Sequence, residues 1–218
     1  MKIFKNCLSK NGFKVLRQLQ PVANRFQLIL AGGTALSLQI GHRISEDLDF
    51  FTTKNFDNNS ILASIKQIRG RYQLLMEDAG TLTITLDGVK VSFLKYEYPF
   101  LDTEVSAAGV PLADLLDIST MKIIAICQRR TKRDFVDLFF ILQTIPFHQI
   151  VQRMYQRFGK ERINPLHIGK ALVYFSDAES HPEPQYLKNE IKWPKIKQFF
   201  RNHVKQFVLD MVSLREES

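Results

Sequence analysis

The chain has 218 residues, 45% of them hydrophobic and 24% charged, proportions near the globular average that argue against a disordered or fibrous chain. Thirty Lys and Arg stand against 22 Asp and Glu, a net charge of +8 that favours a polyanionic partner but suits a plain soluble basic surface equally well. Only Cys7 and Cys127 are present, far apart, which excludes a disulfide framework and fits a reducing compartment.

The N-terminus has scattered charges and no apolar run of signal-peptide length. Residues 9 to 24 place Phe13, Leu16, Leu19 and Val22 at helical spacing, and Pro21 is expected to bend or end that helix. "FQLILA" reads as a buried strand closed by Gly32 and Gly33, with Thr34 as N-cap of a short helix "ALSLQI". The charge-free run from Phe26 to Gly41 is too short to span a bilayer and is interrupted by Gln27, Gln39 and the glycines. A cytoplasmic protein without membrane contact is expected.

"DLDFF" reads as a strand, "NNSILASIKQIRGR" as an amphipathic helix, and "GTLTITL" and "VKVSFLKY" as a hairpin turning at Asp87-Gly88. From Leu112 the pattern is helical: "ADLLDISTMKIIAICQRR", "DFVDLFFILQTI", "FHQIVQRMYQRFG", "NPLHIGKALVYF" and a last stretch from Lys195 to Leu214. The segment "SDAESHPEPQYLKNEIKWP" reads as a surface loop. The expected fold is therefore α+β: residues 1–111 form a mixed sheet flanked by helices, and residues 112–218 a helical domain that completes a nucleotide pocket.

The chemistry concentrates in "AGGTALSLQIGHRISEDLDFF", residues 31 to 51. Residues two apart on a strand share a face, so Asp47 and Asp49 stand side by side while Leu48 and Phe50 face the core. Two adjacent carboxylates repel unless a cation lies between them, which makes the pair a candidate metal site. Ahead of them, the Gly32-Gly33 turn lets main-chain N–H groups approach a phosphate at a helix N-terminus. Ser37 follows Thr34 by one helical turn, so both hydroxyls could face that phosphate. A phosphate cradle joined to metal-binding carboxylates is what nucleotidyl transfer needs.

The stretch "GGTALSLQIGHRISEDLDFF" resembles the signature of the AbiEii family of nucleotidyltransferase toxins, a minimal branch of the DNA polymerase β-like superfamily. "MKIIAICQRRTKRDFVDLFFIL" resembles the family's second signature, a lysine-bearing helix followed by an Arg-Asp-x-x-Asp-Leu helix. Together the two frame residues 30 to 142. The resemblance implies that Gly32, Gly33 and Thr34 form the nucleotide-phosphate turn and that Asp47 and Asp49 hold Mg²⁺ or Mn²⁺. It further implies that Lys122 contacts the triphosphate, that Asp134 or Asp137 completes the pocket, and that Arg43 and Ser45 touch phosphate. By the same resemblance the substrate is an NTP, the acceptor an RNA with the tRNA 3′ end favoured, and the biological role that of a toxin beside a cognate antitoxin.

One position departs from the superfamily pattern: where a third carboxylate is expected, on the strand "VKVSFLKY", this chain has Ser92, and Asp87 and Glu97 lie in the turn or beyond the strand. That serine favours a second expectation, a nucleotide-binding module of weak or no catalysis, and transfer onto a protein hydroxyl is a third. The five histidines lack zinc spacing. "QRRTKRD", residues 128 to 134, reads equally as an RNA guide or a solvated connection, and Tyr96, Tyr98 and Phe100 read as a packed edge in preference to a base-stacking platform.

Overall fold

A computed structural model describes residues 2–103, 105–188 and 190–216, and the chain divides into two compact units, Met1–Asp114 and Leu115–Ser218. The first is built on a five-stranded mixed sheet and the second is helical, so the α+β class read from the sequence is the class observed.

In the first unit, Ser9 caps α1 (Lys10–Gln18) by accepting a hydrogen bond from the Gly12 N–H. The opening helix ends there, and Pro21 sits in the first turn of a separate α2 (Gln20–Arg25), where its missing N–H costs nothing. A short β1 (Ile29–Ala31) leads into α3 (Gly32–Ile40), whose N-cap is Ala31. Thr34 is thus inside the first turn and not the cap, because glycine lets the helix begin two residues earlier. β2 (Leu48–Thr52) and α4 (Asn58–Lys66) follow, α4 capped by Asp57, whose carboxylate accepts from the N–H groups of Asn59 and Ser60. The pattern expected for α4 ran on to Arg71, but the helix stops at Lys66.

β3 (Tyr72–Asp78), β4 (Thr81–Leu86) and β5 (Val89–Lys95) complete the sheet in the order β1-β2-β5-β4-β3. Only β2 and β5 run parallel; the other three pairs are antiparallel. The β4–β5 hairpin turns at Asp87 and Gly88, both at positive φ (48° and 80°), as a two-residue turn matched to strand twist requires. β3 is absent from the sequence reading. It is an edge strand exposed along its whole length, Leu74, Leu75 and Met76 included, and a bulge between Leu74 and Met76 breaks the alternation that marks a strand. Alternation sorts the other strands: Leu48 and Phe50 of β2, Leu82 and Ile84 of β4, and Val91 and Phe93 of β5 make one wholly buried apolar face, with Phe50 stacked on Phe93. Asp49 and Ser92 belong to the opposite face. A two-stranded ribbon, β6 (Ser106–Ala107) with β7 (Val110–Pro111), closes the unit.

The second unit contains α5 (Leu115–Gln128), α6 (Lys132–Ile141), α7 (Phe147–Phe158), α8 (Pro165–Leu172), α9 (Ser176–Glu179) and α10 (Trp193–Glu216). The expected helices are all present, and the segment 176–194, expected to be loop, contains the single turn α9 and the first two residues of α10, with Asn189 outside the described residues. In the core of the unit Phe135 meets Trp193 and Phe200 edge to face and Phe175 at a tilt, and Phe175 meets Trp193 edge to face. The buried Asp117 of α5 ties α7 to it, accepting from Arg153 at 3.0 Å and lying 3.5 Å from Arg157 Nε. Among the described residues no helix is long and apolar enough to cross a membrane.

Candidate functional site

In the first unit the sheet register brings most of the predicted phosphate and metal residues together. Ala31 of β1 pairs with Asp49 of β2, so the chain enters its glycine turn beside the carboxylate. Gly32 turns at φ +70°, and a Cβ built on it would stand 3.6 Å from Asp49 Oδ2. At Gly33 a Cβ would run into Nη2 of Arg43, which would have to shift, and would lie 3.2 Å from Ser45 Oγ. The loop between α3 and β2 therefore folds back over the turn. Arg43, buried, anchors itself by donating from Nη1 to the Ile44 carbonyl at 2.9 Å.

Thr34 couples this loop to the carboxylates. Its hydroxyl lies 2.8 Å from Ser45 Oγ and also bonds to the main-chain carbonyl of Asp47. Asp47 stands immediately before β2 and Asp49 within it, both half-buried. Ser37 is a full turn deeper in α3, wholly buried, and its hydroxyl has no hydrogen-bond partner among the described residues.

Ser92 pairs directly with Asp49 across the parallel β2–β5 ladder, and Thr83 of β4 pairs with Ser92 in turn. The row Ala31, Asp49, Ser92, Thr83 thus contains one carboxylate. Asp87 is occupied in the hairpin turn, where it accepts from the Arg71 N–H and meets Lys14. Among the described residues no three His, Cys, Asp or Glu side chains gather into a metal cage. The donor set nevertheless suits a small hard cation that takes one or two protein carboxylates and completes its shell with substrate phosphates and water, which is how Mg²⁺ is held.

In the second unit Lys122 of α5 lies between two carboxylates of α6, its Nζ 2.9 Å from Asp134 Oδ1 and 2.6 Å from Asp137 Oδ2. All three are buried, so the spacing of the two aspartates on one helix face converges on a single ammonium. Arg129 adds a two-pronged contact to Asp134 at 2.9 and 3.0 Å, and the Thr131 hydroxyl donates to the same carboxylate at 2.6 Å. The cluster "QRRTKRD" is largely engaged in ion pairs: Arg130 meets Asp177 and Lys132 meets Glu183. Arg129 and Thr131 went unrecognised in the sequence, although both flank Asp134 at distances a helix N-terminus would bring into reach.

Burial by itself, the largest single influence, would raise the Asp134 carboxyl. The Lys122 charge and the hydrogen bonds and charge of Arg129 together outweigh it and hold the group at about 2, below its ordinary 3.8. The folded value is the lower one, so the stabilisation is complete above the unfolded value, near pH 4, and is lost as pH falls through about 2. The difference corresponds to ~2 kcal/mol. Asp134→Asn is expected to flatten the acid limb of stability in that window, read as the urea midpoint against pH; an unchanged slope would refute the assignment.

A family model described as "Nucleotidyl transferase AbiEii toxin, Type IV TA system" matches residues 14–99 and 81–215. The chain belongs to the AbiEii family. As an AbiEii member it is a nucleotidyltransferase. It is 38% identical over 188 residues to an uncharacterized protein of Aquifex aeolicus (strain VF5), covering 82% of this chain and 87% of that one. Among solved structures, the nucleotidyltransferase toxin MenT4 of Mycobacterium tuberculosis H37Rv superposes with TM-score 0.62 at 16% identity, over 95% of this chain and 86% of that one. JHP933 of Helicobacter pylori superposes with TM-score 0.54 at 15% identity, over 96% and 97%. At those identities the likeness speaks for the AbiEii chain's fold and for nothing finer.

The two thiols of this AbiEii protein are Cys7, buried, and Cys127, half-buried. Burial pushes both Cys7 and Cys127 up to about 11, which keeps them protonated and poorly nucleophilic at neutral pH.

Proposed function

We propose that the chain transfers a nucleotide from an NTP to the 3′ end of an RNA, with tRNA as the acceptor, in a reaction that depends on Mg²⁺ or Mn²⁺. The observation that carries this reading is the Gly32–Gly33 turn folded against Asp49, with Asp47 tied to the same turn through Thr34. In the reaction, the acceptor hydroxyl oxygen bonds to the α-phosphorus, the bond between the α- and β-phosphates breaks, pyrophosphate leaves and the hydroxyl proton passes to water.

The main-chain N–H groups at Gly32, Gly33 and Thr34 hold the triphosphate in this reading. Arg43 and Ser45 back the turn and present positive charge and a hydroxyl to it. Asp47 and Asp49 hold the cation, which when bound would neutralise the triphosphate and the departing pyrophosphate. Lys122 takes the role of a triphosphate contact, with Asp134 and Asp137 fixing its ammonium. A toxin role beside a cognate antitoxin belongs to the same proposal, supported by the wording of the family description.

Ser92, paired with Asp49 where a third carboxylate would stand, favours a second reading: a module that binds NTP and cation without transferring. Purified protein, each α-labelled NTP, Mg²⁺ or Mn²⁺ and total RNA separate the two on a denaturing gel. Label in a tRNA-sized band, absent for Asp47→Ala/Asp49→Ala, is the expected result. NTP binding with no label in RNA or protein supports the second reading, and label in protein alone replaces the RNA acceptor by a protein hydroxyl.

A further inference from the structure

We propose that Phe51, Tyr96 and Phe100 form the acceptor subsite, a stacking platform for the terminal nucleobase of an RNA 3′ end. The inference rests on the nucleotidyl-transfer reading above and names what that reading leaves open, the place where the acceptor docks.

Phe51 follows Asp49 by two residues on β2, so both side chains leave the same face of the sheet. Its partner on β5 is Leu94, and Tyr96 continues that row, its N–H donating to the Thr52 carbonyl at 2.9 Å. The Phe51 ring meets Tyr96 edge-on at 5.7 Å and Phe100 at 6.2 Å, and Tyr96 lies 6.0 Å from Phe100. These three rings are half-buried. They do not extend the hydrophobic core, which occupies the other face through Phe50, Val91 and Phe93. On their own face Phe51 is flanked by Ile29 and Leu94, and the positions next beyond are Asp49, Ser92, Thr81 and Thr83. An aromatic group beside a polar row is the surface that stacks a nucleobase, whose ring is apolar and whose edges are not.

Direction decides which nucleobase. β1 runs antiparallel to β2, pairing Ala31 with Asp49 and Ile29 with Phe51, so the glycine turn that follows Ala31 lies at the Asp47–Asp49 end of β2. The aromatic corner lies at the other end, two residues and roughly 7 Å of strand beyond Asp49. In phosphoryl transfer the attacking and leaving oxygens are roughly in line across the phosphorus. With the departing pyrophosphate held by the glycine turn, the attacking hydroxyl comes from the opposite side, which is the side of Phe51. A terminal nucleotide with its 3′-oxygen near the carboxylates would then set its base within reach of these rings.

Steady-state kinetics with tRNA, and fluorescence of an RNA hairpin whose single-stranded 3′ end terminates in 2-aminopurine, test the proposal. Tyr96→Ala and Phe100→Ala are each expected to raise the KM for tRNA roughly 5- to 100-fold while the KM for NTP stays within about twofold. The 2-aminopurine emission is expected to be quenched by the native protein and by Tyr96→Phe, which keeps the ring, and not by Tyr96→Ala. A rise in the KM for NTP alone would reassign the platform to the incoming nucleotide and overturn the proposal, as would quenching that survives Tyr96→Ala. Native protein that labels RNA while both alanine variants keep its tRNA KM refutes the subsite only; native protein that labels no RNA refutes the RNA reading itself and the subsite with it.

Discussion

Asp49→Asn is expected to lower nucleotidyl transfer by roughly 10³-fold, ~4 kcal/mol of transition-state stabilisation, and to leave the fold intact. Both halves of the expectation follow from position. Asp49 is half-buried on the face of β2 opposite the core, and Leu48 and Phe50 on either side carry the packing. Asparagine keeps the shape and the strand register and removes only the charge, so thermal unfolding should move little. The charge is what the proposed site needs, because with Ser92 beside it no second carboxylate in that row can take over. Turnover of α-labelled NTP compared with melting temperature separates the two effects; an active Asp49→Asn protein would sink the site assignment.

Lys122→Met is expected to cost about 3–5 kcal/mol of stability in the helical unit. Methionine fills much of the lysine's volume, so lost packing is not the cause. The cause is what stays behind: Asp134 and Asp137, buried on one face of α6 and deprived of the ammonium that sits 2.9 and 2.6 Å from them. Arg129 and Thr131 still hold Asp134, which keeps the expected loss from being larger. Adding Asp137→Asn to Lys122→Met removes one of the stranded charges and should recover part of the loss, since a neutral amide is far cheaper to bury than an unpaired carboxylate. Urea denaturation of the three proteins measures both effects. A Lys122→Met protein as stable as the native chain would mean that the cluster contributes no net stability, leaving ligand contact as the reason for the buried lysine.

That cluster also shows how far a one-dimensional reading reaches. The spacing of Asp134 and Asp137 put both on one face of α6, and the apolar setting of Lys122 marked it as unusual. Nothing in the spacing said that the ammonium would sit between the two carboxylates, because that depends on how α5 and α6 cross. The reading of "QRRTKRD" left an RNA guide and a connection level for the same reason: ion-pair partners such as Asp177 and Glu183 lie some fifty residues away in the chain.

What the sequence by itself determined is local. Helical and alternating periodicities located the helices other than the single-turn α9 and four of the five strands of the main sheet, and glycine's tolerance of positive φ marked the hairpin at Gly88. The two signatures carried the family, because a phosphate turn and an alternating carboxylate pair are short-range chemical requirements. Only the tertiary structure decided which residues are neighbours: Ser92 beside Asp49, Arg43 over Gly33, and Phe51 joined to Tyr96 and Phe100. It alone revealed β3, since a bulged, exposed edge strand has neither the alternation nor the burial that would betray it. Pairing register and helix crossing arise from contacts between distant segments, and periodicity along the chain carries no record of them.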